Sequence, residues 1–198
     1  LMGTKQGFIK KTPLNEYDSS RKTGLLSITL REDDELIDVR LTDGQDNVVL
    51  VTSQGICITF SEKDVRPMGR TAQGVIGIRL NDDDFVIGME SIIEGNTNAT
   101  LLAITENGFG KRTELEEYRV QTRGGKGVMT YKITPKTGNI VGIRVATDNE
   151  DVMLITENGT IIRLRVKDIS ILGRATQGVT LMRTNEGRVV SIETINPE

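Results

Sequence analysis

The chain repeatedly sets two short apolar runs on either side of a glycine turn. Val48-Val-Leu-Val-Thr52 and Ile56-Cys-Ile-Thr-Phe60 flank Gly55 and are rich in β-branched residues. Runs of this length bounded by turn residues predict strands. The matching turns further on, Asn107-Gly108 and Asn158-Gly159, are the dipeptides that best favour a tight hairpin, because both positions need positive φ. Beyond each pair, Gly74-Val-Ile-Gly-Ile-Arg-Leu80 and Phe85-Val-Ile-Gly-Met89 predict two more strands around the acidic turn Asn81-Asp-Asp-Asp84. Arg31-Glu-Asp-Asp-Glu35 and Thr184-Asn-Glu-Gly187 echo that turn. No helical periodicity is evident over 11 residues or more, so each unit reads as four short strands with a longer connection between the second and third.

Two anchors mark the repeat. Thr4-Lys-Gln-Gly7, Thr52-Ser-Gln-Gly55, Thr105-Glu-Asn-Gly108 and Thr156-Glu-Asn-Gly159 form the first, with glycines 48, 53 and 51 residues apart. Arg21-Lys-Thr-Gly24, Arg70-Thr-Ala-Gln-Gly74, Arg123-Gly-Gly-Lys-Gly127 and Arg174-Ala-Thr-Gln-Gly178 form the second, 17 residues later in the first repeat and 19 in the others. The expectation is an all-β, propeller-like array of four visible four-stranded blades in a single domain over 1–198, with repeats at about 1–46, 47–96, 97–147 and 148–198. WD40 is excluded by the missing Trp and His, and kelch by the single Gly124-Gly125 pair. Repeat one begins almost inside its first strand, so the chain reads as a piece of a longer subunit cut near a blade boundary.

Composition narrows the function. The absence of His removes His-based triads, bases and metal ligands. The one cysteine, Cys57, lies in an apolar run and reads as a core residue in a reducing compartment. Neither a signal peptide nor a membrane-length apolar run is present, which points to an intracellular, non-catalytic protein without a metal site. Asp82 to Asp84 read as a solvated hairpin turn rather than hydrolytic carboxylates.

The net charge of −3 hides a segregation. The four anchor-to-anchor windows (7–24, 55–74, 108–127, 159–178) hold 16 basic and 8 acidic residues, and the remaining 120 positions hold 9 basic and 20 acidic. Equivalent positions of a disc share one rim, so these windows predict a basic stripe able to track a phosphate backbone. Lys10-Lys11, Lys111-Arg112 and Arg163 with Arg165 occupy one place in it, and Ile58-Thr59 interrupts it in repeat two. Arg21, Lys22, Arg66, Arg70, Arg119, Lys167 and Arg174 complete the set outside the heptad. Aromatic residues amount to only 4%, which favours duplex DNA over stacked single strands.

The most distinctive stretch is Gln121-Thr122-Arg123-Gly124-Gly125-Lys126-Gly127, where three glycines permit close backbone approach and two cations supply charge. It lacks the spacing and Ser/Thr of a P-loop. One change, Thr122 for Arg, separates it from the Gln-Arg-Arg-Gly-Gly-Lys-Gly box, and the chain resembles the C-terminal domain of the DNA gyrase A subunit over essentially its whole length. Val65-Arg-Pro-Met-Gly-Arg-Thr-Ala-Gln-Gly-Val75, Thr105-Glu-Asn-Gly-Phe-Gly-Lys-Arg-Thr113 and Ile171-Leu-Gly-Arg-Ala-Thr-Gln-Gly-Val179 carry the same likeness. The related domain of the topoisomerase IV A subunit is the nearest rival.

The resemblance implies a β-pinwheel whose blades exchange an edge strand and whose rim wraps duplex DNA in support of ATP-dependent negative supercoiling. It also implies a cytoplasmic, bacterial setting, an A2B2 holoenzyme with the gyrase B subunit, and a monomeric isolated domain. ATP and Mg2+ belong to other domains of that holoenzyme, with no cofactor in this stretch. The family domain typically has six blades and its box sits in the first, whereas four repeats are visible here and the near-match lies in the third. A scaffold that binds acidic proteins through the same stripe is the competing reading.

Overall fold

The computed structural model describes residues 1–19, 23–93, 95, 98–184 and 187–196. Repeat one supplies β1 (Met2–Thr4), β2 (Phe8–Lys10) and β3 (Leu36–Val39). Repeat two supplies β4 (Asn47–Thr52), β5 (Ile56–Ser61), β6 (Val75–Ile76) and β7 (Val86–Ile92). Repeat three supplies β8 (Ala99–Thr105), β9 (Phe109–Glu114), β10 (Val128–Met129) and β11 (Ile140–Thr147). Repeat four supplies β12 (Asp151–Thr156), β13 (Ile161–Arg165), β14 (Val179–Thr180) and β15 (Val189–Ile195). Among the described residues the only helical pieces are single 3-10 turns, at Leu14–Tyr17, Glu62–Asp64, Leu115–Glu117 and Val166–Asp168.

Among the described residues these strands pair antiparallel, in four sheets ordered β3-β1-β2-β6, β10-β5-β4-β7, β11-β8-β9-β14 and β13-β12-β15, with isolated parallel bridges at Lys11–Pro67, Thr59–Val120 and Arg112–Ile171. The third strand of repeats two, three and four therefore leaves its own unit and completes the sheet of the preceding one: β6 joins β2, β10 joins β5 and β14 joins β9, while among the described residues repeat one forms three strands instead of the expected four. A blade is thus built from two repeats, and the fourth sheet holds three strands. This is a β-pinwheel. The third strands are only two residues long, because the backbone after Val75–Ile76 turns away and the amides of Gly77 and Ile78 both donate to Gly7 O, at 2.8 and 3.2 Å.

Each interior sheet is covered on both faces, so its strands lose the apolar–polar alternation of a half-exposed sheet. Every residue of β8 is buried. Ile9, Leu50, Ile58, Phe60 and Met89 fill the space between the first two sheets. Val49, Val51, Cys57, Leu101, Tyr118 and Tyr131 fill the next, and Leu102, Ile104, Val152, Leu154 and Ile192 the last. Each such aliphatic side chain contributes about 1.5–3 kcal/mol of transfer free energy on burial. Cys57 is fully buried, and desolvation pushes its thiol up to about 12.

The inner strands carry a ladder of alternating charge. Arg40, Glu90, Arg144 and Glu193 stand at equivalent positions of successive blades. Arg40 pairs with Glu90 at 2.9 Å, Arg144 reaches Glu90 at 3.8 Å, and Arg144 pairs with Glu193 at 2.7 Å. The Arg144 bond holds the Glu193 carboxyl below its ordinary range.

Candidate nucleic-acid interface

The second strand of each repeat was expected to offer its cations to the rim, and the structure corrects this for several of them. Lys10 and Lys111 are both only 1% exposed. The Lys10 ammonium donates to the carbonyls of Ser27 and Arg70. Lys111 donates to Gly173 O and Arg174 O at 2.6 Å and to Thr176 Oγ1 at 3.0 Å. Burial lowers both pKa values, that of Lys111 to about 8. The adjacent position faces the next blade instead. There Lys11 donates to Glu62 O at 2.8 Å, and Arg112, 4% exposed, donates to Ile169 O at 2.8 Å, Lys167 O at 3.3 Å and the Asp148 carboxylate. Lys10, Lys111 and Arg112 thus brace blades from inside, with their charges consumed by fixed carbonyls. Strand alternation drives them inward because both faces of a blade are interfaces.

The second-anchor arginines form a third brace. Arg70 donates to Leu26 O at 2.9 Å, Arg123 to Ile76 O and to Asp64 O at 3.2 Å, and Arg174 to Met129 O at 3.1 Å. Each ties its loop to the outer strand of the preceding repeat, or to its equivalent Leu26, and each stays half-buried, with donors left over. Arg66, Arg119, Lys126, Arg163, Arg165 and Lys167 are exposed, though Arg163 pairs with Asp151 at 2.7 Å. Arg21 and Lys22 lie outside the described residues.

The glycine heptad lies along the outer edge of the second blade. Gln121 N donates to Thr59 O at 2.7 Å, Gly124 N donates to Gly77 O at 2.8 Å, and Gly125 O accepts from Arg79 N at 2.9 Å. Gly124 has φ +80°, a conformation its counterparts Thr71 and Ala175 do not adopt, so this loop follows a path of its own. Gly127 has φ +77° and packs against the Cys57 carbonyl, where a Cβ would collide. Held flat in this way, the loop turns Lys126 outward.

One set of exposed cations lies beyond the anchor windows. Arg79, Lys132 and Arg183 each stand five residues past a closing glycine, and all three are exposed. Extending the windows by five positions would have found them.

The family described as the DNA gyrase C-terminal domain, beta-propeller, matches residues 1–43, 46–93, 99–147 and 150–196. The chain belongs to the DNA gyrase C-terminal domain family. It is 46% identical over 199 residues to the DNA gyrase A subunit of Staphylococcus epidermidis strain ATCC 12228, covering 100% of this chain and 22% of that protein. Over 191 residues it is 46% identical to the DNA gyrase A subunit of Staphylococcus aureus strain MRSA252, covering 96% of this chain and 21% of that protein. The chain thus spans about a fifth of those relatives.

Among solved structures, the C-terminal domain of DNA topoisomerase IV superposes with a TM-score of 0.93 at 31% identity, covering 99% of this chain and 61% of that one. A DNA gyrase A C-terminal domain superposes at 0.89 and shares the fold at 24% identity, covering 98% of this chain and 64% of that one. Both lineages share the pinwheel, and the 46% relatives place this sequence on the gyrase A side.

Proposed function

We propose that this chain is the non-catalytic, DNA-wrapping module of a gyrase A-type subunit. In that role it bends duplex DNA along its outer edge and presents a crossed segment to a cleavage core elsewhere in the protein. The observation that carries the reading is the register of exposed cations on the loops that join blades, Arg66 with Arg119 and Arg79 with Lys132 and Arg183, to which the glycine loop adds Lys126. Repetition by blade supplies backbone contacts at intervals and no base-reading element, so binding is electrostatic and tolerant of sequence. The gyrase B subunit, an A2B2 holoenzyme and a bacterial cytoplasm complete the setting by membership of the family. Among the described residues no helix is long and apolar enough to cross a membrane.

The test is fluorescence anisotropy on random-sequence duplexes of increasing length at several salt concentrations. Affinity should climb with length until the edge is covered, and log affinity should fall with log salt by several units of slope, at about 0.9 per phosphate neutralised. A slope near zero removes the electrostatic reading. Salt-dependent capture of acidic proteins without DNA binding would favour the scaffold.

A further inference from the structure

The rim is a backbone-clasped band. At each junction the amide of one residue donates to a carbonyl of the following repeat's loop: Thr29 N to Ala72 O at 3.4 Å, Arg79 N to Gly125 O at 2.9 Å, and Lys132 N to Thr176 O at 3.0 Å. The second-anchor arginine returns the clasp from the loop side. The segments 26–29, 76–79 and 129–132 are therefore clasped at both ends, while the side chains of their last residues stay free. Among the described residues, the Arg79 guanidinium and the Lys132 ammonium have no intramolecular hydrogen bond or ion pair. The bracing cations bind carbonyls or carboxylates, whereas these two project unpaired from a fixed backbone.

We propose that Arg79 and Lys132 are phosphate-contact residues of the duplex track, and that this track crosses the outer edge at the blade junctions. The proposal rests on the DNA-wrapping reading. Contact at a junction follows from charge and rigidity together. An unpaired guanidinium can engage two phosphate oxygens at once, and it gives up no internal partner on binding. At the junction of the second and third repeats Arg79 lies beside the glycine loop, so Arg119, Arg123, Lys126 and Arg79 form one strip across the edge. At the junction of the first and second repeats the corresponding positions are Arg66, Arg70, Gln73 and Thr29, and at the next junction they are Ser170, Arg174, Gln177 and Lys132. The strip at the glycine loop carries four cations against two at either neighbour, so the DNA should be held most strongly there.

The experiment compares wild type, Arg79→Ala with Lys132→Ala, Thr29→Arg, and Arg188→Ala, a cation paired with Glu106 on the hairpin-turn side. Salt-dependent anisotropy on a random duplex long enough to cover the edge gives the slope for each. The double variant should lose about 1.8 in slope, which at 0.1 M salt amounts to roughly a 60-fold loss of affinity. Thr29→Arg should gain about 0.9, and Arg188→Ala should match wild type. The clasping amides survive truncation, and Arg79→Gln with Lys132→Gln repeats the test with longer side chains if the alanine pair unfolds. A steep wild-type slope with an unchanged double variant overturns this proposal and leaves the DNA reading standing. No salt-dependent binding by wild type removes both.

Discussion

Raising the pH should stabilise this protein through Lys111, and a methionine at that position should abolish the effect. The ammonium is 1% exposed and sits on Gly173 O, Arg174 O and Thr176 Oγ1, over the Tyr131 ring at 5.1 Å. Desolvation is the largest cause of a pKa lowered from 10.5 to about 8, and the Glu117 charge offsets it only in part. A lysine depressed in the fold binds its proton less tightly there than in the unfolded chain. Between the two values the unfolded state holds more protons, so stability rises with pH.

At 1.36 kcal/mol per pH unit the full difference is ~3 kcal/mol, of which about 2 kcal/mol falls between about pH 7.5 and pH 10. Lys10, also lowered by burial, adds the same sign but is present in both proteins and cancels from the comparison. Urea unfolding followed by circular dichroism should show the stability of wild type relative to Lys111→Met rising by about 2 kcal/mol over that range. A relative stability that stays constant or falls with pH refutes the account of Lys111 as a buried, destabilised cation.

Three further outcomes follow from packing and pairing. Glu90→Gln leaves Arg40 and Arg144 without their shared carboxylate and should cost about 2 kcal/mol in a urea melt, discounted for partial exposure; a loss below about 0.5 kcal/mol would dismiss the ladder as a stabilising element. Gly127→Ala should cost at least about 1–3 kcal/mol, because φ is +77° and the Cys57 carbonyl fills the site; Gly125→Ala, whose Cβ would meet Ile58 at an ordinary 3.5 Å, should stay within about 0.5 kcal/mol, and equal losses would deny the conformational argument. Arg123→Ala should cost about 1 kcal/mol through its carbonyl bonds, while Lys126→Ala should be silent in stability and still weaken duplex binding; equal melts for the two would remove Arg123 from the braces.

The pattern of apolar runs located the hairpin strands to within a residue or two, Val48–Thr52 becoming Asn47–Thr52 and Ile56–Phe60 becoming Ile56–Ser61, whereas the run Gly74–Leu80 forms only the two-residue strand Val75–Ile76. Turn chemistry was readable in part: the glycine of each hairpin adopts positive φ, but Asn107 and Asn158 do not, and the turns close from Gly108 N to Thr105 O and from Gly159 N to Thr156 O rather than as two-residue loops with positive φ at both positions. Direction was not. Lys10 and Lys111 read as surface cations because basic residues in a strand ordinarily face water, and nothing local reveals that both faces of this sheet are interfaces. Their acceptors lie far along the chain, as Gly173 does from Lys111, so no short-range signal announces them. The exchange of outer strands is likewise a relation between repeats, and the runs inside one repeat do not encode it. The alternation of Arg40, Glu90, Arg144 and Glu193 went unread in the sequence, because only pairing across blades gives their spacing meaning.

The glycine heptad and the buried lysines answer one structural problem in two ways. Each outer loop must be held against the second strand beneath it. Over Lys10 and Lys111 an ammonium collects the loop carbonyls from inside, and the outward position of the loop is a glutamine, Gln73 or Gln177. In the second blade that strand position is Ile58, which offers no donor, and the loop above it is held by glycine backbone contacts, with Gly125 resting on the isoleucine. There the outward position is Lys126. A cation used inside the two neighbouring blades is thus displaced to the surface in this one, and Arg79 lies at the same junction. The densest rim charge consequently arises where the strand beneath carries no buried lysine, and the sequence around Ile58 helps to explain why the box-like loop lies over this blade.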